Sequence, residues 1–190
     1  MITLNESGMV FKFPDNDCFL IERDAVAKKS HVKVCECLAH ISRNGKDRYA
    51  FIEAKSSAPK EKVCDRSKVF YDGIPMEESW IVLTNFDRFV NDICQKFEDS
   101  FSTYSAITAG YHRRDAKSRI PDGCKGLDNL NVQFVLIVNG FEEEWFPPLN
   151  DALKKRFRHF LNAWNIPDIS VKTLNADSAN DIGISVSVAE

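Results

Sequence analysis

Two runs of strand-like sequence, residues 32–41 and 49–57, flank the dipeptide Asn44-Gly45. Asn-Gly between two such runs is the strongest short-range signal for a β-hairpin. Residues 8–13 and 18–21 form two shorter extended patterns nearer the N-terminus. The first third of the chain is therefore predicted to consist of strands, with a hairpin as its best-defined element.

The remainder of the chain alternates between helix and strand patterns. From Thr84, an N-cap residue followed three positions later by an acid, apolar side chains recur at helical spacing as far as Gly110. Pro147 and Pro148 open a second amphipathic helix that reaches Trp164. Strands are predicted at 132–139, 168–174 and 182–188, and loops at 58–79 and 110–131. This order predicts a single α/β (α+β) domain over residues 1–190, with a mixed central sheet.

Composition supports a folded domain and restricts its surroundings. The chain is 44% hydrophobic and 28% charged, with a net charge of -3, which is unlike a disordered chain. No apolar run approaches the ~18 residues of a membrane span, and no signal-peptide pattern precedes the first strand. We therefore expect a cytoplasmic protein without membrane association, with its six cysteines reduced and mostly buried.

The hairpin carries the candidate chemistry. If Asn44-Gly45 forms a two-residue loop, Glu36 lies opposite Glu53, and Lys55 projects from the same face. Facing carboxylates repel each other unless a cation lies between them. Magnesium favours one or two carboxylates with waters completing its shell. The register thus predicts a Mg²⁺ or Mn²⁺ site with carboxylates within about 6 Å of each other, opening onto a cleft, and with Lys55 beside it to act on water or phosphate.

The same pattern admits another interpretation, in which the hairpin lies at the edge of the sheet and its charges are simply solvated. The neighbouring residues argue against it. Phe51, Ile52 and Ala54 surround Glu53, and Val34 and Leu38 flank Glu36. Charged side chains within strands this apolar more often have a specific function.

The sequence Phe51-Ile52-Glu53-Ala54-Lys55, with an acid on the neighbouring strand, resembles the PD-(D/E)XK nuclease superfamily. Members of that superfamily share an αβββαβ core, and the resemblance implies a restriction-endonuclease-like mixed sheet flanked by helices. It also implies that Glu36 and Glu53 bind a divalent metal while Lys55 assists phosphodiester hydrolysis.

Further residues complete the site that the resemblance implies. The Ala54 carbonyl is expected to join the metal ligands, and Glu22 or Asp24 is the candidate for the family's N-terminal acid. Two features depart from the family pattern: the first acid is Glu36 rather than Asp, with no proline before it, and the N-terminal segment does not read as a clear helix.

The expected function is metal-dependent hydrolysis of nucleic acid, with DNA as the first candidate substrate. A basic segment would contact the phosphate backbone, and Tyr111 beside it could stack on an unpaired base. This basic segment contains Arg113, Arg114, Lys117 and Arg119. The alternative is a nuclease-like fold that has lost catalysis and serves as a binding or regulatory subunit for a partner protein.

Overall fold

The computed structural model describes residues 1–30, 32–43, 45–60, 70–71, 74–75, 84–112, 114–127 and 131–189. The strands are β1 (Ile2–Glu6), β2 (Met9–Phe13), β3 (Cys18–Phe19), β4 (Cys37–Arg43), β5 (Lys46–Lys55), β6 (Phe70–Tyr71), β7 (Ile74–Pro75), β8 (Val132–Val138), β9 (Val171–Leu174) and β10 (Val186–Val188). The α-helices are α1 (Ala25–Ser30), α2 (Asn85–Thr108), α3 (Arg114–Ser118), α4 (Phe146–Ala163) and α5 (Ala176–Asp181). Short 3₁₀ helices cover Asp15–Asp17, Ile21–Arg23, Asp122–Cys124, Glu143–Trp145 and Asp168–Ser170.

Strand β5 is the middle strand of a five-stranded mixed sheet ordered β3-β4-β5-β8-β9. It pairs antiparallel with β4 and parallel with β8. Helices α2 and α4 cover one face, and the antiparallel sheet β1-β2-β10 covers the other. The predicted mixed α+β class is confirmed. The second face differs from the prediction, because a small sheet rather than a helical layer buries most of it.

The predicted hairpin register is confirmed over seven residue pairs, from Arg43 with Lys46 to Cys37 with Ile52. Asn44 itself lies outside the described residues. Gly45 has a φ of 71°, in the left-handed region that glycine adopts without steric cost. The turn chemistry read from the sequence therefore matches the observed strand pairing.

Strand β4 begins at Cys37, later than the predicted residue 32. The Glu36 N–H donates to the carbonyl of Ile52 at 3.0 Å, although Ile52 is already the partner of Cys37. The Cys35 N–H donates to Ser100 Oγ at 2.8 Å. The chain leaves the ladder here because helix α2 supplies a side-chain acceptor in place of a strand.

An aromatic cluster holds α2 and α4 against the sheet. Phe51 of β5 stacks on Phe134 of β8, with ring centroids 5.6 Å apart. Phe97 of α2 and Phe157 of α4 lie 5.5 Å and 4.9 Å from Phe134, in tilted and edge-on contacts. All four side chains are buried. This packing sets the position of α2 across β5.

Several local predictions are confirmed. Thr84 Oγ1 accepts from the Asp87 N–H, and the Asp87 carboxylate accepts from the Thr84 N–H, both at 3.0 Å. This capping box starts α2 where the sequence places it. Helix α4 has proline in its first turn, and β8 matches the predicted strand.

Other elements differ from their predictions. The predicted loop at 110–131 contains α3 and a 3₁₀ turn, which the Tyr104 hydroxyl holds by donating to the Cys124 carbonyl at 2.7 Å. Helix α5 was not predicted, although Asn175 caps it by accepting from the Ser178 N–H at 2.8 Å. Strands β9 and β10 are shorter than predicted. Most of the predicted loop at 58–79 lies outside the described residues.

Two predictions from composition can be compared with the structure. No helix within the described ranges is long and apolar enough to cross a membrane. Five cysteines are described, and all five are buried free thiols, as predicted. Cys64 lies outside the described residues.

Replacement of Phe134 by alanine tests the aromatic cluster. We expect Phe134→Ala to lower the free energy of unfolding by about 3–5 kcal/mol, since it removes a ring that both helices contact. Tyr111→Ala is the matched control, because Tyr111 is 85% exposed, and its cost should stay within about 0.5 kcal/mol. Urea denaturation followed by circular dichroism measures both. Equal losses would show that the cluster does not anchor the helices.

Candidate active site

Glu53 is completely buried at the centre of the sheet, with 0% of its surface exposed. Its Oε1 accepts from two ammonium groups, Lys55 Nζ and Lys96 Nζ, each at 2.6 Å. Lys55 lies two residues along the same strand, and Lys96 reaches down from α2. The alternative of a solvated edge hairpin is therefore wrong, because β5 is a central strand and its carboxylate is paired inside the protein.

Helix α2 also fixes the chain beside Glu36. Ser100 Oγ accepts from the Cys35 N–H at 2.8 Å and donates to the Lys96 carbonyl at 2.6 Å. Lys96 and Ser100 are one helical turn apart, so they lie on the same side of α2. One turn of the helix thus supplies both the partner of Glu53 and the anchor of the residue before Glu36.

Electrostatic effects connect the two carboxyl groups. Burial and, to a smaller extent, the charges of Glu53 and Glu22 together raise the pKa of Glu36 to about 8. Burial also raises the pKa of Glu53, more than the nearby Lys96 and Lys55 lower it. For Lys96, burial acts to lower the pKa, but the charges of the surrounding carboxylates outweigh it and leave the pKa raised. These groups therefore belong to one electrostatic cluster.

The cluster is more enclosed than predicted. Glu36 and Glu53 are both buried, so their carboxylates do not open directly onto a cleft. Solvent reaches the cluster through its lysines, since the side chains of Lys55 and Lys96 are 29% and 16% exposed. The predicted carboxylate separation of about 6 Å stays a prediction.

Each of the two buried carboxylates has one oxygen without a hydrogen-bond partner in the described part of the chain, Oε2 of Glu36 and Oε2 of Glu53. A buried acceptor left unpaired costs stability and is commonly explained by a water or an ion. Two carboxylate oxygens are the hard ligands that Mg²⁺ and Mn²⁺ accept. The donor chemistry of Glu36 and Glu53 therefore fits a divalent cation.

The ligand set that the protein offers is small. Within the described ranges, no group of three or more His, Cys, Asp or Glu side chains is arranged to hold a metal ion. The Ala54 carbonyl accepts from Ser7 Oγ at 3.0 Å, so one of its two acceptor positions is in use. A cation at this site would keep several waters, as Mg²⁺ usually does.

The structure distinguishes between the two candidates for the N-terminal acid. Glu22 lies on the Ile21–Arg23 turn, and its charge and its side chain help to raise the pKa of Glu36. Asp24 instead caps α1 by accepting from the Val26 N–H at 2.8 Å and pairs with Arg119 at 2.8 Å. Glu22 is therefore brought to the cluster, whereas Asp24 joins α1 to the segment after α3.

The predicted phosphate-binding residues have varied environments. Arg119 is held by Asp24 and by Asp115, the latter at 2.9 Å. Lys117 Nζ is exposed and donates to the Thr108 carbonyl at the end of α2, at 3.1 Å. Arg113 and the side chain of Arg114 lie outside the described residues. Of the two described cations, only Lys117 is not paired with a carboxylate.

Sequence reasoning missed Lys96 and Ser100. A signal existed, because these polar residues interrupt the apolar stripe of α2 defined by Ile93, Phe97 and Phe101. The stripe alone indicates which side of the helix faces the sheet, but it does not indicate which strand residue each helix residue meets. That pairing depends on how α2 crosses β5.

Compared with known proteins, the chain matches no family model, no curated protein and no solved structure.

The raised pKa of Glu36 predicts a dependence of stability on pH. Between pH 4.5 and about 8, the folded protein holds a proton that the unfolded chain releases, so the free energy of unfolding falls as the pH rises through this window. Glu36→Gln removes the titrating group. We therefore expect the fall in the free energy of unfolding across this window to be smaller in this variant, by an amount on the order of a few kcal/mol. Urea denaturation at several pH values, with EDTA present, measures the slope.

The matched control for this experiment is Glu143→Gln, which changes an exposed glutamate in the same way. It should keep the slope of the wild-type protein. The same slope in wild type and Glu36→Gln would contradict a buried, proton-binding Glu36.

Proposed function

We propose that the protein is a metal-dependent phosphodiesterase that hydrolyses nucleic acid, with DNA as the first substrate to test. The observation that carries the proposal is the pair of buried oxygens on Glu36 and Glu53 that have no partner among the described residues, beside the ammonium group of Lys55. The resemblance to the PD-(D/E)XK superfamily supports it, because the order β3, β4, β5, α2, β8 follows the βββαβ part of that core once α1, β6, β7 and α3 are treated as insertions. A restriction-endonuclease-like fold is part of the proposal.

The carboxylates of Glu36 and Glu53 would hold Mg²⁺ or Mn²⁺, with Glu22 and the Ala54 carbonyl at the margin of the site. When bound, such an ion lowers the pKa of water and neutralises charge on the phosphate. Glu36 must lose its proton to bind a cation. A bound cation would also offset the mutual repulsion that raises its pKa.

The two lysines would have separate tasks. Lys96 is the more buried of the two and binds Oε1 of Glu53, which leaves Oε2 available to another ligand. Lys55 is more exposed and binds the same oxygen, so its ammonium can turn towards a docked phosphate and stabilise the charge that develops there. Lys117, with Arg113 and Arg114, would contact the backbone further away, whereas Arg119 would position the Asp24 segment.

A second candidate function is a nuclease-like binding or regulatory subunit without catalysis, acting with a partner protein. One observation favours it. With its pKa at about 8, Glu36 carries a proton at neutral pH, and two lysines already neutralise Glu53. Two ammonium groups and one carboxylate then leave the cluster with no excess negative charge for a metal to neutralise. Metal binding and cleavage distinguish the two candidates.

Cleavage is the direct test of the catalytic proposal. We expect single- or double-stranded DNA or RNA to be cut with Mg²⁺ or Mn²⁺. Glu53→Gln and Lys55→Ala should each lower the rate by about 100-fold or more, a typical loss for a group that acts in the transition state. Lys12→Ala is the control, since Lys12 is an exposed lysine on another strand. No cleavage of any form, or full activity in both site variants, would overturn the proposal.

Metal binding provides an independent test that does not need a substrate. Mn²⁺ should raise the Tm of the wild-type protein, since a ligand that binds only the folded state stabilises it. Glu36→Gln and Glu53→Gln should lose this increase, whereas Glu143→Gln should keep it. A wild-type protein that is indifferent to Mn²⁺ would favour the non-catalytic subunit.

A further inference from the structure

A cavity of about 450 Å³ lies at the opposite end of the central sheet from Glu53. Its lining includes Lys46, Arg48, Gln133, Ile169, Ser170 and Lys172. Strand β5 passes Arg48 five residues before Glu53, so the two regions are separated by ~17 Å along the strand. The cavity is therefore distinct from the acidic cluster, and it has a volume typical of small-molecule sites.

Three adjacent strands contribute polar side chains to the cavity from the same face of the sheet. Gln133 of β8 pairs with Ala50 of β5, and Arg48 lies two residues before Ala50. Lys172 of β9 pairs with Val135, two residues after Gln133. Since side chains alternate along a strand and paired residues share a face, Arg48, Gln133 and Lys172 project to the same side. The backbone of the central sheet therefore fixes where these three side chains lie.

The cavity is electropositive. Among the described residues, no acid forms an ion pair with Lys46, Arg48 or Lys172. Asp47 also borders the cavity, but alternation turns its carboxylate to the other face, where it lies 3.3 Å from His40 Nε2. Burial and the charge of Arg48 lower the pKa of Lys172. The two cations are thus close together, and within the described part of the chain no carboxylate neutralises them.

The cavity also holds an unused acceptor and an apolar wall. Gln133 Oε1 is buried and has no hydrogen-bond partner in the part of the chain that the structure describes. A buried acceptor atom is normally paired with a hydrogen-bond donor, which a ligand can supply here. Ile169 is 72% exposed at the rim, which gives an apolar surface beside the cations. A complementary ligand has an anionic group, a hydroxyl or amino donor and an apolar face.

We propose that this cavity binds a small phosphate ester that carries a hydroxyl or amino donor, such as a nucleoside monophosphate. The phosphate lies between Arg48 and Lys172, where charge-assisted hydrogen bonds are strongest. The donor of the sugar or base reaches Gln133 Oε1, and the base lies against Ile169. The proposal goes beyond the proposed hydrolysis and does not depend on it.

Calorimetric titration with adenosine 5′-monophosphate, in EDTA and at low ionic strength, tests the proposal without any metal at the acidic cluster. We expect binding to wild type, and binding at least about tenfold weaker in Arg48→Ala and in Lys172→Ala. Lys155→Ala is the matched control, because Lys155 is an exposed helical lysine that forms no ion pair among the described residues. It should bind like wild type.

Adenosine and inorganic phosphate separate the parts of the ligand. Both should bind more weakly than the monophosphate, and Gln133→Leu should reduce the advantage of the monophosphate over inorganic phosphate. Amide chemical shifts in wild type should change at Arg48, Gln133 and Lys172 when the monophosphate is added, which gives a readout that needs no variant to fold. Absence of binding, equal binding in all variants, or binding of an oligonucleotide but not of the monophosphate would overturn the proposal.

Discussion

The carboxylate of Glu53 is completely buried in β5, the middle strand of the central sheet. Strand β5 has a neighbour on each side, two helices over one face and a second sheet over the other. An isolated ionised carboxylate at such a position would be expensive. Its pairing with Lys55 and Lys96, both at 2.6 Å, is the interaction on which the arrangement around it depends.

Helix α2 brings Lys96 to Glu53 because the aromatic side chains of the helix fix how it crosses the sheet. Phe97 packs on Phe134, and this contact places the preceding residue, Lys96, over Glu53. One turn later, Ser100 binds the Cys35 N–H. The apolar contacts provide most of the energy that holds the helix, whereas the polar contacts determine where β4 begins and where Glu36 lies. Packing and site geometry are therefore parts of the same arrangement.

The two ends of β5 carry different sets of charged groups. Glu53, Glu36 and Glu22 gather towards its C-terminal end, and the cavity with Arg48 and Lys172 lies towards its N-terminal end. Both ends also contain buried oxygens without partners in the described residues, on Glu36, Glu53 and Gln133. The sheet can thus support two chemically different sites.

The local sequence was sufficient to predict those elements that are specified by residues close together in the chain. The Asn-Gly turn and the alternation around it predicted the pairing of β4 and β5. The Thr84–Asp87 box predicted the start of α2, and the apolar run after residue 131 predicted β8. In each case the deciding hydrogen bonds and side-chain directions lie within one element or one hairpin, so tertiary packing had little to change.

Long-range contacts decided the rest. The late start of β4 depends on Ser100, 65 residues beyond Cys35, and the partner of Glu53 comes from a helix 43 residues away. Glu22 rather than Asp24 lies near Glu36, and Asp24 is instead paired with Arg119, 95 residues further along the chain. The basic cavity needs three strands in register. Periodicity specifies which face of an element is buried, but only the packed chain decides which residue of another element that face meets.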